Sequence, residues 1–201
     1  MPRDYITIVS GLPRSGTSLM MQMLQAGGLP VLTDSLREAD ASNPHGYLEY
    51  DPVKHLRTDR SWLPQACGHA VKIIHLLLRE LPMDGSLTYR IIFMERPMAE
   101  VLASQQAMLQ RDGKPGADPA ILRRAFTTQL AEVTAWLKAQ PHLRLLTVSY
   151  HRLLTEPSAV AEELCAFLDG NGDGDGDLDL DPAAMQRAID PALHRQRQQW
   201  P

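Results

Sequence analysis

The chain has 201 residues, of which 44% are hydrophobic and 22% are charged, and its formal net charge is −4. This is the composition of a soluble globular protein, and the length suits a single domain over residues 1–201. The charge excludes a bulk attraction to nucleic acid or to an anionic membrane, so we expect neither partner. The chain has only two cysteines, Cys67 and Cys165, and we expect both to be reduced thiols. We expect no leader and see no apolar run of ~20 residues, so we predict a cytoplasmic protein.

Apolar runs with strand character alternate with helical patterns along the chain. The first strand is predicted at 6–9, and a glycine-bounded turn and a helix from Thr17 to Gly27-Gly28 follow it. Further strands are predicted at 29–32, within 70–78, at 89–94 and at 143–148, and further helices from Asp51, from Pro97, over 119–139 and over 157–168. This alternation predicts a three-layer α/β/α fold whose central, mostly parallel sheet binds ligands at the carboxyl ends of its strands.

An alternating Gly/Asp segment occupies residues 169–181. Part of it, from Asn171 to Asp179, matches the spacing of an EF-hand calcium loop. Position 12 of that loop would be Pro182 instead of a bidentate glutamate, and no regular helix is predicted after it. We therefore predict a flexible acidic surface loop and no metal site.

The turn from Gly11 to Gly16 has the composition of a phosphate-binding loop. Backbone N–H groups of such a loop and of the following helix converge on an anion, and Arg14 adds a full charge. The glycine spacing matches the ATP-binding pattern G-x-x-x-x-G-K-[ST], but Thr17 stands at the lysine position. Because that lysine reaches the β- and γ-phosphates, its replacement argues against ordinary ATP or GTP hydrolysis. The alternative is a tight turn that binds no ligand.

Residues 11–18, Gly-Leu-Pro-Arg-Ser-Gly-Thr-Ser, resemble the 5′-phosphosulfate-binding loop of sulfotransferases that use 3′-phosphoadenosine 5′-phosphosulfate (PAPS). The loop is closer in form to the tyrosylprotein and bacterial enzymes than to the cytosolic ones. The resemblance implies a P-loop NTPase-like sulfotransferase fold. It also implies an enzyme that moves the sulfuryl group of PAPS to a hydroxyl or amine acceptor, with 3′-phosphoadenosine 5′-phosphate (PAP) as product and no metal. The implied donor-binding residues in this loop are Pro13, Arg14, Ser15, Gly16, Thr17 and Ser18, with Arg14 also serving catalysis.

Arg96 and Ser104 resemble the second part of the same donor site. In these sulfotransferases an arginine at a strand end and a serine eight positions later hold the 3′-phosphate, and both residue types and their spacing match. The segment 149–152 is similar to the start of the family's Y-E-D-L segment, although histidine and arginine replace the acidic pair. The tail resembles the arginine-containing segment that folds over the donor, which implies a phosphate contact for Arg195 or Arg197. The alternative for the tail is a solvated basic end.

A hydroxyl acceptor needs a general base, and three residues are candidates. Glu49 ends a segment, 43–49, that is similar to an N-P-x-G-Y-x-E segment of bacterial sulfotransferases. His75 lies in a segment similar to V-K-T-H-L-P of the cytosolic enzymes, whose histidine is the base. It follows Lys72 by three positions instead of two, which places the two side chains on opposite faces of an extended strand. Asp34 falls near the catalytic glutamate of tyrosylprotein and heparan sulfotransferases. We rank the candidates Glu49, His75, Asp34, and expect Lys72 to contact the bridging oxygen of the donor or to pair with a carboxylate.

Two other functions fit parts of the sequence. A small-molecule or nucleotide kinase on a P-loop scaffold would need a lysine where Thr17 stands and would depend on magnesium. A non-catalytic nucleotide-binding protein would keep the donor site and lack a base. The acceptor is predicted only as a small molecule, such as a phenol, an alcohol or a sugar, whose site involves 33–63 and 112–118. The sequence predicts no oligomeric state.

Overall fold

The computed structural model describes residues 5–34, 46–116, 118–141, 143–169 and 179–190. Four strands form one parallel sheet: β1 (Tyr5–Gly11), β2 (Ala70–Lys72), β3 (Thr88–Glu95) and β4 (Leu143–Ser149). Their order across the sheet is β2-β1-β3-β4. The predicted parallel sheet is therefore confirmed.

Helices cover both faces of this sheet. The α-helices are α1 (Thr17–Ala26), α2 (Met98–Arg111), α3 (Pro119–Lys138), α4 (Tyr150–Thr155), α5 (Pro157–Asp169) and α6 (Pro182–Arg187), and 3-10 helices span Asp51–His55, Leu63–Ala66 and His75–Glu80. No helix in the described ranges is long and apolar enough to cross a membrane.

The central strand β1 separates two cores. Its neighbouring residues Ile8 and Val9 are both fully buried and point to opposite faces, as alternation along a strand requires. Val9 packs in a cluster with residues of α1, α4, α5 and α6. Ile8 packs with residues of 53–81 and α3. Burial on both faces explains why β1 is a continuous apolar and β-branched run.

Two predicted elements are shorter in the structure than the sequence predicts. The predicted strand at 29–32 is only a bridge between Val31 and Ala70, and Pro30 interrupts the strand because it has no backbone N–H to donate. The predicted helix from Asp51 is one five-residue 3-10 helix, and its N-cap is Tyr50 instead of Asp51. Runs this short gain too few hydrogen bonds to extend on local preference alone.

Helix α4 was not among the predicted helices, and neither was α6. Asp181 caps it by accepting a hydrogen bond from the Ala184 N–H at 2.9 Å, and Pro182 occupies its first turn. The Asp-Pro pair was the available signal, since it favours a helix start. Of the Gly/Asp segment, residues 170–178 lie outside the described residues. The expectation of a flexible loop there stays a prediction.

The strand order places two loops side by side. The chain leaves β1 for β2 on one side, and β3 pairs with β1 on the other. Gly11 at the end of β1 is in register with Met94 near the end of β3. Ligands of open α/β sheets bind at such a reversal of direction. The loop 12–16 and the residues after β3 therefore form the two walls of one crevice.

Candidate active site

The turn after β1 is held by backbone conformations that most residues avoid. Gly11 has φ 148°, Gly16 has φ 104°, and Arg14 has φ 70°. A Cβ on Gly16 would lie 2.5 Å from the ring of Tyr150. The Ser15 N–H donates to the carbonyl oxygen of Leu12 at 3.2 Å and closes the turn. Strained non-glycine backbone of this kind is typical of functional loops, where the surrounding structure enforces it.

Replacing Gly11 by alanine is expected to lower the free energy of unfolding by about 2–4 kcal/mol. The added Cβ would lie 2.5 Å from Ser15 Oγ and 2.7 Å from the carbonyl oxygen of Met94. Gly113→Ala is the matched control, because φ is also positive there but no atom lies within 4 Å of the new Cβ. Its expected loss is about 1 kcal/mol. Equal losses in urea unfolding would contradict the packing explanation.

The N-terminus of α1 offers hydrogen-bond donors to an anion. No side chain caps this helix, and its first turn contains no acidic residue. Ser15 Oγ is buried and has no hydrogen-bond partner within the described part of the chain. The uncapped N–H groups, the Arg14 guanidinium and the hydroxyls of Thr17 and Ser18 make a set of donors. This set fits a phosphate or sulfonate group.

Arg14 connects this loop to α2. Its Nε donates to Ser104 Oγ at 3.1 Å, and its Nη1 lies 3.9 Å from the Met108 sulfur. Ser104 is buried on the face of α2 that is turned to the loop. The structure thus brings together one residue from each of the two motifs that the sequence suggested.

Arg96 lies at the end of β3, in contact with the same loop. Its Nη1 donates to the backbone carbonyl of Arg14 at 3.2 Å. Its Nε donates to Glu100 Oε2 at 2.8 Å, and its guanidinium carbon lies 4.4 Å from the centre of the Tyr150 ring. Only 8% of the Arg96 side chain is exposed. A guanidinium held on three sides has little freedom to reorient.

Glu100 is the buried centre of this charged cluster. Its side chain is 1% exposed, and His151 Nε2 lies 2.7 Å from its Oε1. Burial acts to raise the pKa of Glu100, but hydrogen bonds from Arg96 and His151, together with their charges, outweigh burial and lower it. Glu100 is therefore a carboxylate at neutral pH.

Lys72 and Glu49 form a pair at the end of β2. Lys72 Nζ lies 3.2 Å from Glu49 Oε1 and donates to Ser18 Oγ at 3.3 Å and to the Tyr47 carbonyl. The Lys72 side chain is 9% exposed and that of Glu49 is 30% exposed. The ammonium is thus fixed beside the phosphate loop, and the carboxylate stays open to the crevice.

The other two base candidates lie elsewhere. The Asp34 carboxylate accepts a hydrogen bond from the Asp51 N–H at the start of a 3-10 helix, so it caps that helix. His75 is 2% exposed, and its Nε2 lies 3.0 Å from Gln129 Oε1 of α3. Strand β2 ends at Lys72, before His75, yet the histidine packs against α3 and away from the loop. These positions do not favour either residue as the base.

A cleft of about 430 Å³ collects most of the predicted residues. Its lining includes Pro13, Arg14, Gly16, Thr17, Ser18, Glu49, Lys72, Arg96 and Ser104, together with Asp190 near the end of the described chain. Ser15, Asp34 and His75 are not in this lining, and Arg195 and Arg197 lie outside the described residues. Among the residues described, no group of three or more metal-ligating side chains occurs.

A second, larger cleft of about 600 Å³ shares Leu12 and Arg96 with the first. Its lining includes Arg96, Ser149 and His151 but neither Arg14 nor Lys72. We therefore assign the chemistry to the smaller cleft, where the cations and the open carboxylate meet.

Three contributors to the site were missed or undervalued in the sequence. Glu100 follows Arg96 by four positions, and this spacing on a helix start was the signal for a pair. Tyr150 and His151 were noted only as part of a segment similar to Y-E-D-L. No local pattern joins His151 to Glu100, because 51 positions separate them.

The parallel sheet and the glycine-bounded loop at its reversal point define an α/β fold of the P-loop-like class. The family model described as "Sulfotransferase domain" matches residues 4–180. The chain belongs to this sulfotransferase family.

Two solved structures are similar to the chain over nearly its whole length. The sulfotransferase domain from the curacin biosynthetic pathway is 15% identical with a TM-score of 0.52, and the match covers 100% of this chain and 94% of that one. The sulfotransferase domain from the Synechococcus PCC 7002 olefin synthase is 16% identical with a TM-score of 0.53, over 98% and 84%. Identities this low show a shared fold alone. Comparison with curated protein sequences found no significant match.

Proposed function

We propose that this protein is a PAPS-dependent sulfotransferase that transfers the sulfuryl group to a hydroxyl of a small molecule. The observation that carries the proposal is the contact between two anion-binding halves. Arg14 of the loop bonds to Ser104, and Arg96 bonds to the backbone of Arg14. A donor that carries phosphate at both its 5′ and 3′ positions needs two such cationic subsites a short distance apart. A nucleoside triphosphate does not.

In-line transfer would break the bond between sulfur and the bridging phosphate oxygen and form a bond between sulfur and the acceptor oxygen. Arg14, the loop N–H groups and the Thr17 and Ser18 hydroxyls would hold the 5′-phosphate and the sulfonate. Arg96 and Ser104 would hold the 3′-phosphate. Lys72, fixed beside Ser18, would stabilise the negative charge that develops on the bridging oxygen.

Glu49 is our proposed general base. Its carboxylate lines the same cleft as Arg14 and Lys72 and is 30% exposed, whereas Asp34 and His75 do not line that cleft. The acceptor's proton would move to Glu49 as its oxygen bonds to sulfur, so charge and atoms balance. Lys72 at 3.2 Å would orient the carboxylate.

The acceptor side of the cleft has apolar walls. Ile73 and Ile74, which follow Lys72 in the chain, line it, and Ile74 is 48% exposed. We propose an acceptor whose hydroxyl is carried on an apolar or aromatic body, because such walls recover free energy only from apolar contact. Neither Cys67 nor Cys165 forms a disulfide, which supports the proposal of a cytoplasmic enzyme.

Calorimetry with PAP, AMP and ATP tests the donor class. We expect wild-type protein to bind PAP at least tenfold more tightly than AMP, because only PAP has a phosphate for Arg96 and Ser104. ATP should bind weakly, because Thr17 replaces the lysine that reaches its terminal phosphates. Tight binding of ATP alone would favour a kinase. Tight binding of PAP without turnover on a panel of phenols and alcohols would favour a non-catalytic protein.

Arg96→Ala is expected to weaken PAP binding by about 30-fold and AMP binding by less than threefold. The truncation removes the charge-assisted hydrogen bonds to the 3′-phosphate, a group that AMP lacks. Arg123→Ala, an exposed site on α3, serves as the matched control and should change neither constant. Equal losses for PAP and AMP would remove Arg96 from the 3′-phosphate subsite.

A further inference from the structure

His151 stands where the related Y-E-D-L segment has an acidic residue, and it makes a specific contact there. Its Nε2 lies 2.7 Å from Glu100 Oε1, and the other oxygen of Glu100 accepts the Arg96 Nε–H at 2.8 Å. One carboxylate therefore joins the histidine to the arginine. An acidic side chain at position 151 would face the Glu100 carboxylate and repel it.

We propose that His151 is a positioning residue that acts through Glu100 to fix Arg96 toward the 3′-phosphate of the donor. The inference rests on the proposed function, since it assigns Arg96 to that phosphate. His151 does not touch the donor in this arrangement.

The geometry explains why Arg96 needs this support. A carboxylate with one oxygen on Arg96 and the other on His151 has a fixed plane, so the Nε–H of Arg96 has one preferred direction. The backbone carbonyl of Arg14 and the ring of Tyr150 fix two further sides of the guanidinium. Without the bond from His151, Glu100 Oε1 would lose that hydrogen bond and the carboxylate could rotate more freely about its side-chain bonds.

Because of its position, His151 can be replaced with little expected effect on folding. Its side chain is 26% exposed and lines the second cleft, whose lining includes neither Arg14 nor Lys72. Glu100 at 1% exposed cannot be replaced in this way, because its removal would leave Arg96 as a buried charge without that partner. The test therefore changes His151.

The experiment measures PAP and AMP binding by calorimetry in wild type, His151→Ala, His151→Gln and Arg96→Ala, with thermal unfolding of each. We expect His151→Ala to weaken PAP binding about tenfold and AMP binding less than twofold. Glutamine can donate an N–H to Glu100, so His151→Gln should recover PAP binding to within about threefold of wild type. His55→Ala, at an exposed site on a 3-10 helix, should match wild type.

The outcomes separate this inference from the function on which it rests. If Arg96→Ala discriminates between PAP and AMP but His151→Ala does not, the positioning role is overturned and the donor assignment stands. If His151→Ala weakens PAP and AMP equally, or if glutamine does not rescue it, the role is also overturned, since a general loss of structure explains the effect. If Arg96→Ala itself does not discriminate, both proposals fail. Selective loss in alanine with rescue by glutamine supports the proposal.

Discussion

Arg14→Ala is expected to lower kcat/KM for sulfuryl transfer from PAPS by about 10³-fold. The guanidinium is the cation at the tip of the phosphate loop, and its Nε bond to Ser104 also ties the loop to α2. Removing it takes away both the charge that stabilises the transferred group and the link between the two halves of the site. Steady-state kinetics with PAPS varied at a fixed, saturating concentration of a phenolic acceptor measure the effect.

Arg14→Lys distinguishes charge from geometry. Lysine keeps the charge but not the forked donor, so we expect it to recover about tenfold over alanine and to remain well below wild type. Arg123→Ala is again the surface control. Wild-type activity in Arg14→Ala would refute the assignment of the loop to the reacting group.

Glu49→Gln is expected to lower kcat by about 10²–10³-fold and to leave the dissociation constant of PAP within about twofold of wild type. The substitution preserves size but removes the proton acceptor at the acceptor side of the cleft. Lys72 would lose its ion pair at 3.2 Å and keep its hydrogen bonds to Ser18 and the Tyr47 carbonyl. We therefore expect this variant to keep its affinity for PAP while its rate of sulfuryl transfer falls.

His75→Asn is the comparison that decides between base candidates. Because His75 is buried against Gln129, we expect this variant to lose stability and to keep kcat within about threefold of wild type once folded. The reverse pattern, with a normal Glu49→Gln and an inactive but folded His75→Asn, would move the base to His75.

The loop 12–16 and the residues after β3 could be predicted from the sequence better than the rest of the site. Gly11, Gly16 and the apolar run before them identify a strand, a turn and a helix start within one short stretch, so local chemistry sufficed. Arg96 could be placed at a strand end by its position after a buried run. The ends of β1 and β3 lie side by side because of the strand order of the sheet. The alternation of strands and helices along the chain does not determine that order. The resemblance to sulfotransferases supplied that adjacency.

The support around the site could not be predicted, because it is built from contacts between distant segments. Glu100 contacts His151, which is 51 positions further along the chain, and Lys72 contacts Glu49 although two 3-10 helices lie between them in the sequence. The same limit explains Asp34, which the resemblance placed near a catalytic glutamate but whose carboxylate caps a 3-10 helix. The predicted strand at 29–32 failed for a local reason, the missing N–H of Pro30.

Asp190, which lines the donor cleft, has a consequence for the eleven residues that follow it. Arg195 is five positions further along, so at about 3.5 Å per residue its Cα is tethered within about 17 Å of Asp190. A tether of this length corresponds to an effective concentration in the millimolar range for a group at its far end. The predicted phosphate contact of Arg195 therefore needs a reach of no more than about 17 Å from Asp190.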